Sequence, residues 1–301
     1  MTVMDGKRVV YAAPWMVALL VLTGCSPAES ESPEADEEVA VVAPVPATEA
    51  TEAEETWSTM IPPSTLTSPP FDGTVYLTAD ALTPDSPSDL VDVTFEAAGP
   101  RETFDRRVDD WVNAPSWVYQ ASYSCGRPSV AVIVNQEFSR EQADLEAERF
   151  AFVLGQLPSG VRTNVDELWI HRGSELAGGG NRSILIHTDY ANDEWDYIEE
   201  IFLHEAAHTS LDYDFGGAVN PSSWAKAQQH DQTFISTYAE DYPTSEDIAE
   251  SYGAFYVWAL HREQGAFADE AALVAAAIPG RLSYFDSLGP AFGPSHAEQC
   301  R

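Results

Sequence analysis

The stretch IEEIFLHEAAH at residues 198–208 decides the fold, because it places the pattern HExxH inside an apolar segment. Residues four apart lie on one face of a helix, so His204 and His208 can offer two imidazole nitrogens to one metal ion. Glu205 lies about 100° around the helix from His204 and can reach a metal-bound water. The stretch therefore predicts a buried helix with two metal ligands and a general base. The alternative is a helix whose histidines only make hydrogen bonds at the surface or in the core.

A catalytic zinc ion needs a third protein ligand and an open position for water. The metzincin continuation, with a glycine and a third histidine, is absent after His208. Asp212 lies one turn further along the same helix, but three ligands on one straight helix span about 12 Å and cannot converge on one ion. We therefore expect Asp212 to support a ligating histidine or to act as a charge at the helix end.

A later segment offers the third ligand. Glu246 and Glu250 are four residues apart within a predicted helix whose apolar neighbours indicate burial. One carboxylate can bind the metal while the other accepts the ring N–H of a ligating histidine. If Glu246 is not the ligand, His230, Glu250 and Asp212 are the next candidates.

These segments together resemble the gluzincin branch of zinc metallopeptidases. HEAAH at residues 204–208, ISTYA at 235–239 and EDIAE at 246–250 are similar to the catalytic domain of the anthrax lethal factor family, and the resemblance covers residues 198–255. It implies a zincin-like metallopeptidase domain with Zn²⁺ as cofactor and a peptide or protein as substrate.

The resemblance also implies a role for each matched residue. The metal ligands implied are His204, His208 and Glu246. Glu205 is implied as the catalytic base, and Tyr238 as the group that stabilises the tetrahedral intermediate. Glu250 is implied to support a ligating histidine.

The order of elements predicts an α+β fold, in which a small mixed sheet lies over the HExxH helix and a helical C-terminal half follows. Strands are predicted at residues 71–77, 117–122, 130–134, 165–171 and 183–188. Helices are predicted at residues 104–112, 139–158, 222–234, 244–264 and 268–278. We expect Asn192 or Asp193 to cap the start of the HExxH helix, and Ser222 or Ser223 to cap the start of the helix at 222–234. The helix at 244–264 is expected to begin with a capping box at residues 244–247 and to end at a C-cap at Gly265. Loops are expected around Pro84, Pro87, Gly99 and Pro100 and at the glycine run 178–180.

The strand at residues 183–188 immediately precedes the predicted metal helix. In zincin peptidases the strand before that helix lines the cleft and pairs with an extended substrate. We therefore expect residues 183–188 to form the substrate-binding edge of the sheet.

The N-terminus reads as a targeting segment. Lys7 and Arg8 precede a mostly apolar run at residues 9–22, which ends in Leu-Thr-Gly-Cys25. This ending resembles a bacterial lipobox, which implies a lipoprotein signal peptide at residues 1–25 and a lipid on Cys25. The expected location is the bacterial cell envelope, anchored in the outer membrane or at the cell surface and facing away from the cytoplasm. The alternative is an ordinary secretory signal with an incidental cysteine.

Composition divides the remainder of the chain. Residues 26–70 are acidic and rich in proline, and they contain no Lys or Arg, so we predict a disordered tether. Residues 71–301 are long enough for one enzyme domain, which we expect to be monomeric. The net charge of −34 argues against nucleic acid as a partner. Cys125 and Cys300 are expected to pair as a disulfide in an exported protein, with two free thiols as the alternative.

The leading hypothesis is therefore a membrane-anchored zinc peptidase that works outside the cytoplasm. A second hypothesis is a non-catalytic lipoprotein that uses a structural zinc site for binding or stability. Glu205 argues against the second, because a structural site needs no base and is normally closed by four protein ligands. A zinc hydrolase acting on a non-peptide amide is a third hypothesis.

Overall fold

The computed structural model describes residues 61–75, 82–124, 128–262 and 267–294. These residues form a mixed α+β fold with a six-stranded mixed sheet, in the order β1-β2-β3-β4-β6-β5, and eight α-helices in the described part. The strands are β1 (Leu90–Asp105), β2 (Asp110–Tyr123), β3 (Val130–Asn135), β4 (Glu167–His171), β5 (Gly178–Gly180) and β6 (Ser183–His187). The predicted α+β class is confirmed at this level.

Helices surround the sheet and fill the C-terminal half. They are α1 (Arg140–Gln156), α2 (Thr188–Asp193), α3 (Ile198–Ser210), α4 (Pro221–Asp231), α5 (Thr237–Asp241), α6 (Asp247–His261), α7 (Ala268–Ala277) and α8 (Pro279–Ser287). Short 3₁₀ turns lie at Trp195–Tyr197, Tyr213–Phe215 and Pro290–Phe292. Among the described helices, none combines the length and the apolar character that a membrane crossing requires.

The centre of the sheet is buried on both faces. Strands β3, β4 and β6 are parallel, and they read as apolar runs because neither face meets water. Ile133, Trp169 and Leu185 share one face, where they pack with Phe104. Helices α1 and α3 contact the sheet and also each other, through the stacked rings of Phe150 and Phe202 at 5.9 Å between centroids. The predicted strands within 117–122, 130–134, 165–171 and 183–188 are confirmed.

The helix predicted at residues 104–112 is wrong. Phe104 pairs with Trp111 across the β1–β2 hairpin, and residues 106–109 form its turn. The Trp111 ring meets the ring of Trp169 edge-on at 5.4 Å, so tertiary contacts outweigh a pattern that also fits a helix. The loop predicted at Gly99 and Pro100 is also wrong, because both lie inside β1, an edge strand where a proline is tolerated.

The glycine run at residues 178–180 is strand β5 rather than a loop. A Cβ added to Gly179 would lie 2.1 Å from the carbonyl oxygen of Glu205, so only glycine allows this strand to lie against α3. Consequently β6 is paired on both sides, with β4 and with β5. The prediction that residues 183–188 form the substrate-binding edge is therefore wrong, because the edge is β5.

Domain boundaries differ at the N-terminal side. Instead of a strand at 71–77, Phe71 makes one isolated bridge to Ser236, and residues 76–81 lie outside the described part. Residues 61–70, assigned above to the tether, contact the helical half: Thr65 N donates to Ala276 O at 3.0 Å. The signal peptide with Cys25, the tether up to residue 60, and both Cys125 and Cys300 lie outside the described residues.

Several predicted helix ends move. Ser139 caps α1 in a capping box with Gln142, which agrees with the helix start predicted at residue 139. Asn220 rather than Ser222 or Ser223 caps α4, which ends at Asp231. Helix α7 matches the helix predicted at 268–278, but Pro279 opens α8 at its first turn instead of ending the helical region.

The two helices that carry the HExxH and Glu-x-x-x-Glu patterns lack the predicted side-chain caps. Asn192 and Asp193 belong to α2, and α3 begins at Ile198 after a 3₁₀ turn. Helix α6 begins at Asp247, after Glu246, without a capping box. It ends at His261, and the cap predicted at Gly265 lies outside the described part.

Candidate metal centre

Helix α3 holds the two histidines at the surface of an otherwise buried segment. Its apolar residues pack inward, while the side chains of His204 and His208 remain 15% and 13% exposed. One helical turn separates the two rings, and their Nε2 atoms lie 3.1 Å apart. Both nitrogens therefore face the same point in space.

Glu246 completes a three-ligand cluster. Its Oε2 lies 3.4 Å from His204 Nε2 and 3.3 Å from His208 Nε2. A tetrahedral ion bound at about 2.0–2.1 Å requires its ligand atoms to lie about 3.3 Å from one another. The three atoms thus already stand at the separations that a tetrahedral zinc ion needs, with the fourth position left for a water or substrate. In the described part of the chain, these three residues are the group that could hold a metal ion.

The charges around this group favour a bound cation. Burial opposes ionisation of Glu246, but hydrogen bonds with His204 and His208 outweigh it and hold the pKa of Glu246 well below its usual range. Burial disfavours a charged His204, yet the contact with Glu246 and the charges of Glu205 and Glu250 raise the pKa of His204 to about 9. A positive charge, either a proton or a metal ion, is therefore stabilised between these side chains.

Glu250 lies behind the ring of His204, on the side of Nδ1. Its Oε2 accepts hydrogen bonds from Ser236 Oγ at 2.7 Å and from Val75 N at 2.9 Å. The buried Oε1 has no hydrogen bond to any described residue and lies 3.6 Å from His204 Nδ1. Burial raises the pKa of Glu250 to about 7. The carboxylate is thus placed to accept the ring N–H and to leave Nε2 free for a metal.

Glu205 and Tyr238 complete the group. Glu205 is half-buried, and its charge contributes to the raised pKa of both His204 and Tyr238. Its backbone oxygen accepts a hydrogen bond from Thr209 Oγ1 at 3.0 Å. Burial and the charge and hydrogen bond of Glu246 raise the pKa of Tyr238 well above its usual range. Tyr238 therefore stays a phenol, and it stands beside the carboxylate of the third ligand.

Two other candidates take different roles. Asp212 is buried and caps the 3₁₀ turn that follows α3, where its side chain accepts from Asp214 N. Burial raises the pKa of Asp212, an effect that the nearby His208 opposes. His230 lies on α4 with its Nε2 3.2 Å from Pro62 O. Neither residue belongs to the three-ligand cluster, whereas the residues carried over from the matched motifs do converge.

A buried ionic network holds the start of α6, and no sequence pattern pointed to it. Arg281 of α8 contacts Asp231 of α4 and Asp247 of α6, each at 3.0 Å, and all three side chains are fully buried. Gln228 donates a further hydrogen bond to Asp247 at 2.8 Å. Because Asp247 directly follows Glu246, this network holds the chain next to the candidate third ligand. Ser236 and Val75, which hold Glu250, were also missed. Contacts between residues so far apart in the sequence leave no local signal.

Comparison of the chain with protein-family models, with curated proteins and with solved structures gives no match.

Proposed function

We propose that this chain is a zinc-dependent peptidase with a zincin-like, gluzincin-type catalytic domain. The observation that carries the proposal is the convergence of His204, His208 and Glu246 at tetrahedral separations. Two imidazoles and one carboxylate form a donor set that suits zinc.

The residues around the cluster support hydrolysis rather than a structural metal. A zinc ion bound there would lower the pKa of a water and polarise a substrate carbonyl. Glu205 takes a proton from the attacking water and passes it to the leaving amine. Tyr238 donates a hydrogen bond to the developing oxyanion, and Glu250 keeps the His204 ring in place. A structural site would need neither a base nor an open fourth position.

We also propose where the peptidase works. The lipobox-like ending at Cys25 supports attachment to the cell envelope by acyl chains, with the catalytic domain outside the cytoplasm. The net charge of −34 disfavours nucleic acid as a substrate. We propose that the enzyme acts as a monomer.

The decisive experiment measures zinc content and cleavage of a peptide library together, for the wild type and for Glu205→Gln. The expected result is about one zinc per chain in both proteins and cleavage by the wild type alone. Asp196→Asn is a matched control, because it removes one negative charge from an exposed position in the turn before α3. Equal cleavage by Glu205→Gln would refute the peptidase assignment. A zinc-loaded wild type that cleaves no peptide but hydrolyses small amides would indicate the non-peptide amidase instead.

The anchoring is tested separately with Cys25→Ser in a bacterial host. The wild type should incorporate labelled palmitate, while the variant should incorporate none. Incorporation of palmitate by the variant would contradict a lipid anchor at Cys25.

A further inference from the structure

Strand β5 is the edge of the described sheet, and it lies beside the proposed catalytic base. It pairs with β6 on one side only. Gly179 lies so close to α3 that an added Cβ would meet the carbonyl oxygen of Glu205. An extended peptide that adds to β5 would therefore pass close to the backbone of the helix that carries Glu205.

A guanidinium group lies over this edge. A Cβ added to Gly178 would lie 2.9 Å from Arg106 Nη2 and 3.3 Å from Arg106 Nε. Successive residues of a strand face opposite sides of a sheet, and Gly179 faces α3. Arg106 therefore covers the opposite face of β5. Because Gly178 has no side chain, it does not stand between the Arg106 guanidinium and a strand that adds to this edge.

Arg106 has no ionic partner among the residues that the structure describes. It is exposed, and it makes neither an ion pair nor a hydrogen bond there. The chain has 15 Lys and Arg against 49 Asp and Glu, so acids are available almost everywhere on its surface. The next residue, Arg107, is paired twice, with Asp105 and with Glu137, each at 2.7 Å. Arg106 is thus a cation at this edge that no described carboxylate neutralises.

The residues on either side of Arg106 are anchored, which fixes its position. Asp105 binds Arg107 and lies 3.5 Å from Nε2 of the buried His187 and 3.9 Å from Nδ1 of the buried His171. Hydrogen bonds from Arg107 outweigh burial and keep the pKa of Asp105 well below its usual range, so its negative charge persists. A turn held in this way fixes the backbone at Arg106, so the side chain always starts from the same place beside β5.

We propose that Arg106 binds an acidic side chain of an extended peptide that pairs with β5. The inference rests on the proposed peptidase function and names the substrate class of that site. A guanidinium can hold a carboxylate through two parallel hydrogen bonds, which gives selectivity for an acid at one position of the substrate. The negative field of the rest of the molecule disfavours acids at the other positions. The substrate class is thus a peptide with one acidic residue close to the scissile bond.

Matched peptide substrates test the proposal once the library has located the preferred position. Peptides with Glu, Gln or Lys at that position are compared by kcat and KM for the wild type, Arg106→Ala, Arg106→Glu and Arg101→Ala. We expect the wild type to prefer Glu over Gln by about tenfold in kcat/KM, mainly through KM. Arg106→Ala should abolish this preference, and Arg106→Glu should favour Lys. Arg101→Ala removes a charge from the same hairpin and should keep the wild-type preference, because among the described residues the Arg101 guanidinium bonds only the adjacent Pro100 carbonyl.

Failure of the subsite and failure of the peptidase assignment give different results. Cleavage without a preference for Glu, or with a preference that survives in Arg106→Ala, overturns the subsite and leaves the peptidase assignment standing. If the wild type cleaves no peptide, fluorescence anisotropy of labelled Glu and Gln peptide pools decides the subsite alone. Tighter binding of the Glu pool by the wild type than by Arg106→Ala then supports the subsite, and equal binding overturns it.

Discussion

The buried guanidinium of Arg281 donates to the carboxylate of Asp247 at 3.0 Å, one residue away from the candidate ligand Glu246. The same guanidinium binds Asp231 and the carbonyl oxygen of Thr233. Three segments distant in the sequence therefore meet at one buried cation. The end of helix α6 that carries Glu246 is held by this network rather than by a helix cap.

Arg281→Met should destabilise the protein strongly. Removing one partner of a buried ionic network leaves two carboxylates without their cation, which typically costs about 3–5 kcal/mol. The measurement is the free energy of unfolding from urea denaturation. Arg262→Met is the matched control, because Arg262 forms an exposed ion pair with Asp286 at 3.8 Å, and such pairs contribute about 1 kcal/mol or less. Similar losses for both variants would contradict the importance of the buried network.

Glu246→Ala should lower zinc occupancy, because two imidazoles alone hold the ion weakly. We expect the affinity to fall by more than about 100-fold, measured by competition with a chelator. Glu240→Ala, an exposed acid on the preceding helix α5, is the control that should keep full affinity. Full occupancy in Glu246→Ala would place the third ligand elsewhere, with Glu250, Asp212 or His230 to be tested next.

Glu250→Gln should weaken zinc binding less than the loss of a ligand does. The glutamine amide can retain the contacts to Ser236 and Val75 but lacks the charge that stabilises His204 as a ligand. Groups that orient a ligating histidine typically contribute about 10–100-fold in metal affinity. The chelator competition used for Glu246 measures this directly. A fall as large as that of Glu246→Ala would indicate that Glu250 itself is a ligand.

Local patterns explain which parts of the site could be predicted. His204 and His208, and likewise Glu246 and Glu250, are pairs at a spacing of four residues, and a helix brings such pairs together whatever surrounds it. The distance between the two helices is not determined by local sequence. It depends on contacts such as Arg281 with Asp231 and Asp247, which join positions that no periodicity relates.

The sheet, too, could be predicted from the sequence only in part. The parallel strands β3, β4 and β6 were predictable, because burial on both faces leaves continuous apolar runs. The β1–β2 hairpin was not, since the contact of Trp111 with Trp169 decides between strand and helix. Strand β5 was missed because its three glycines are typical of a loop, although close packing against Glu205 requires a glycine at position 179.

Tyr238→Phe should lower kcat and leave KM nearly unchanged. If the Tyr238 hydroxyl donates only to the developing oxyanion, its loss removes an interaction that exists mainly in the transition state. Removing one such donor typically lowers kcat by about 10²–10³-fold. Zinc content should stay at the wild-type level, and Tyr242→Phe, whose ring lies 5.1 Å from that of Tyr238, is the control for altered packing. Loss of zinc in Tyr238→Phe would instead indicate that the hydroxyl supports Glu246.

Stability should decline as the pH falls from about 6.5 towards 4, because the buried histidines below the β1–β2 hairpin must stay neutral. Burial lowers the pKa of His171 to about 4 and also lowers the pKa of His187, despite the favourable charge of Asp105. The unfolded chain binds a proton at each histidine near pH 6.5, whereas the folded chain does not, so unfolding is favoured as protons become available. His171 contributes a slope of about 1 kcal/mol per pH unit within this window, and His187 acts in the same direction. Urea denaturation between pH 7 and pH 4.5 should show a shallower loss of stability for His171→Gln than for the wild type. Parallel curves would mean that His171 titrates alike in the folded and unfolded chains.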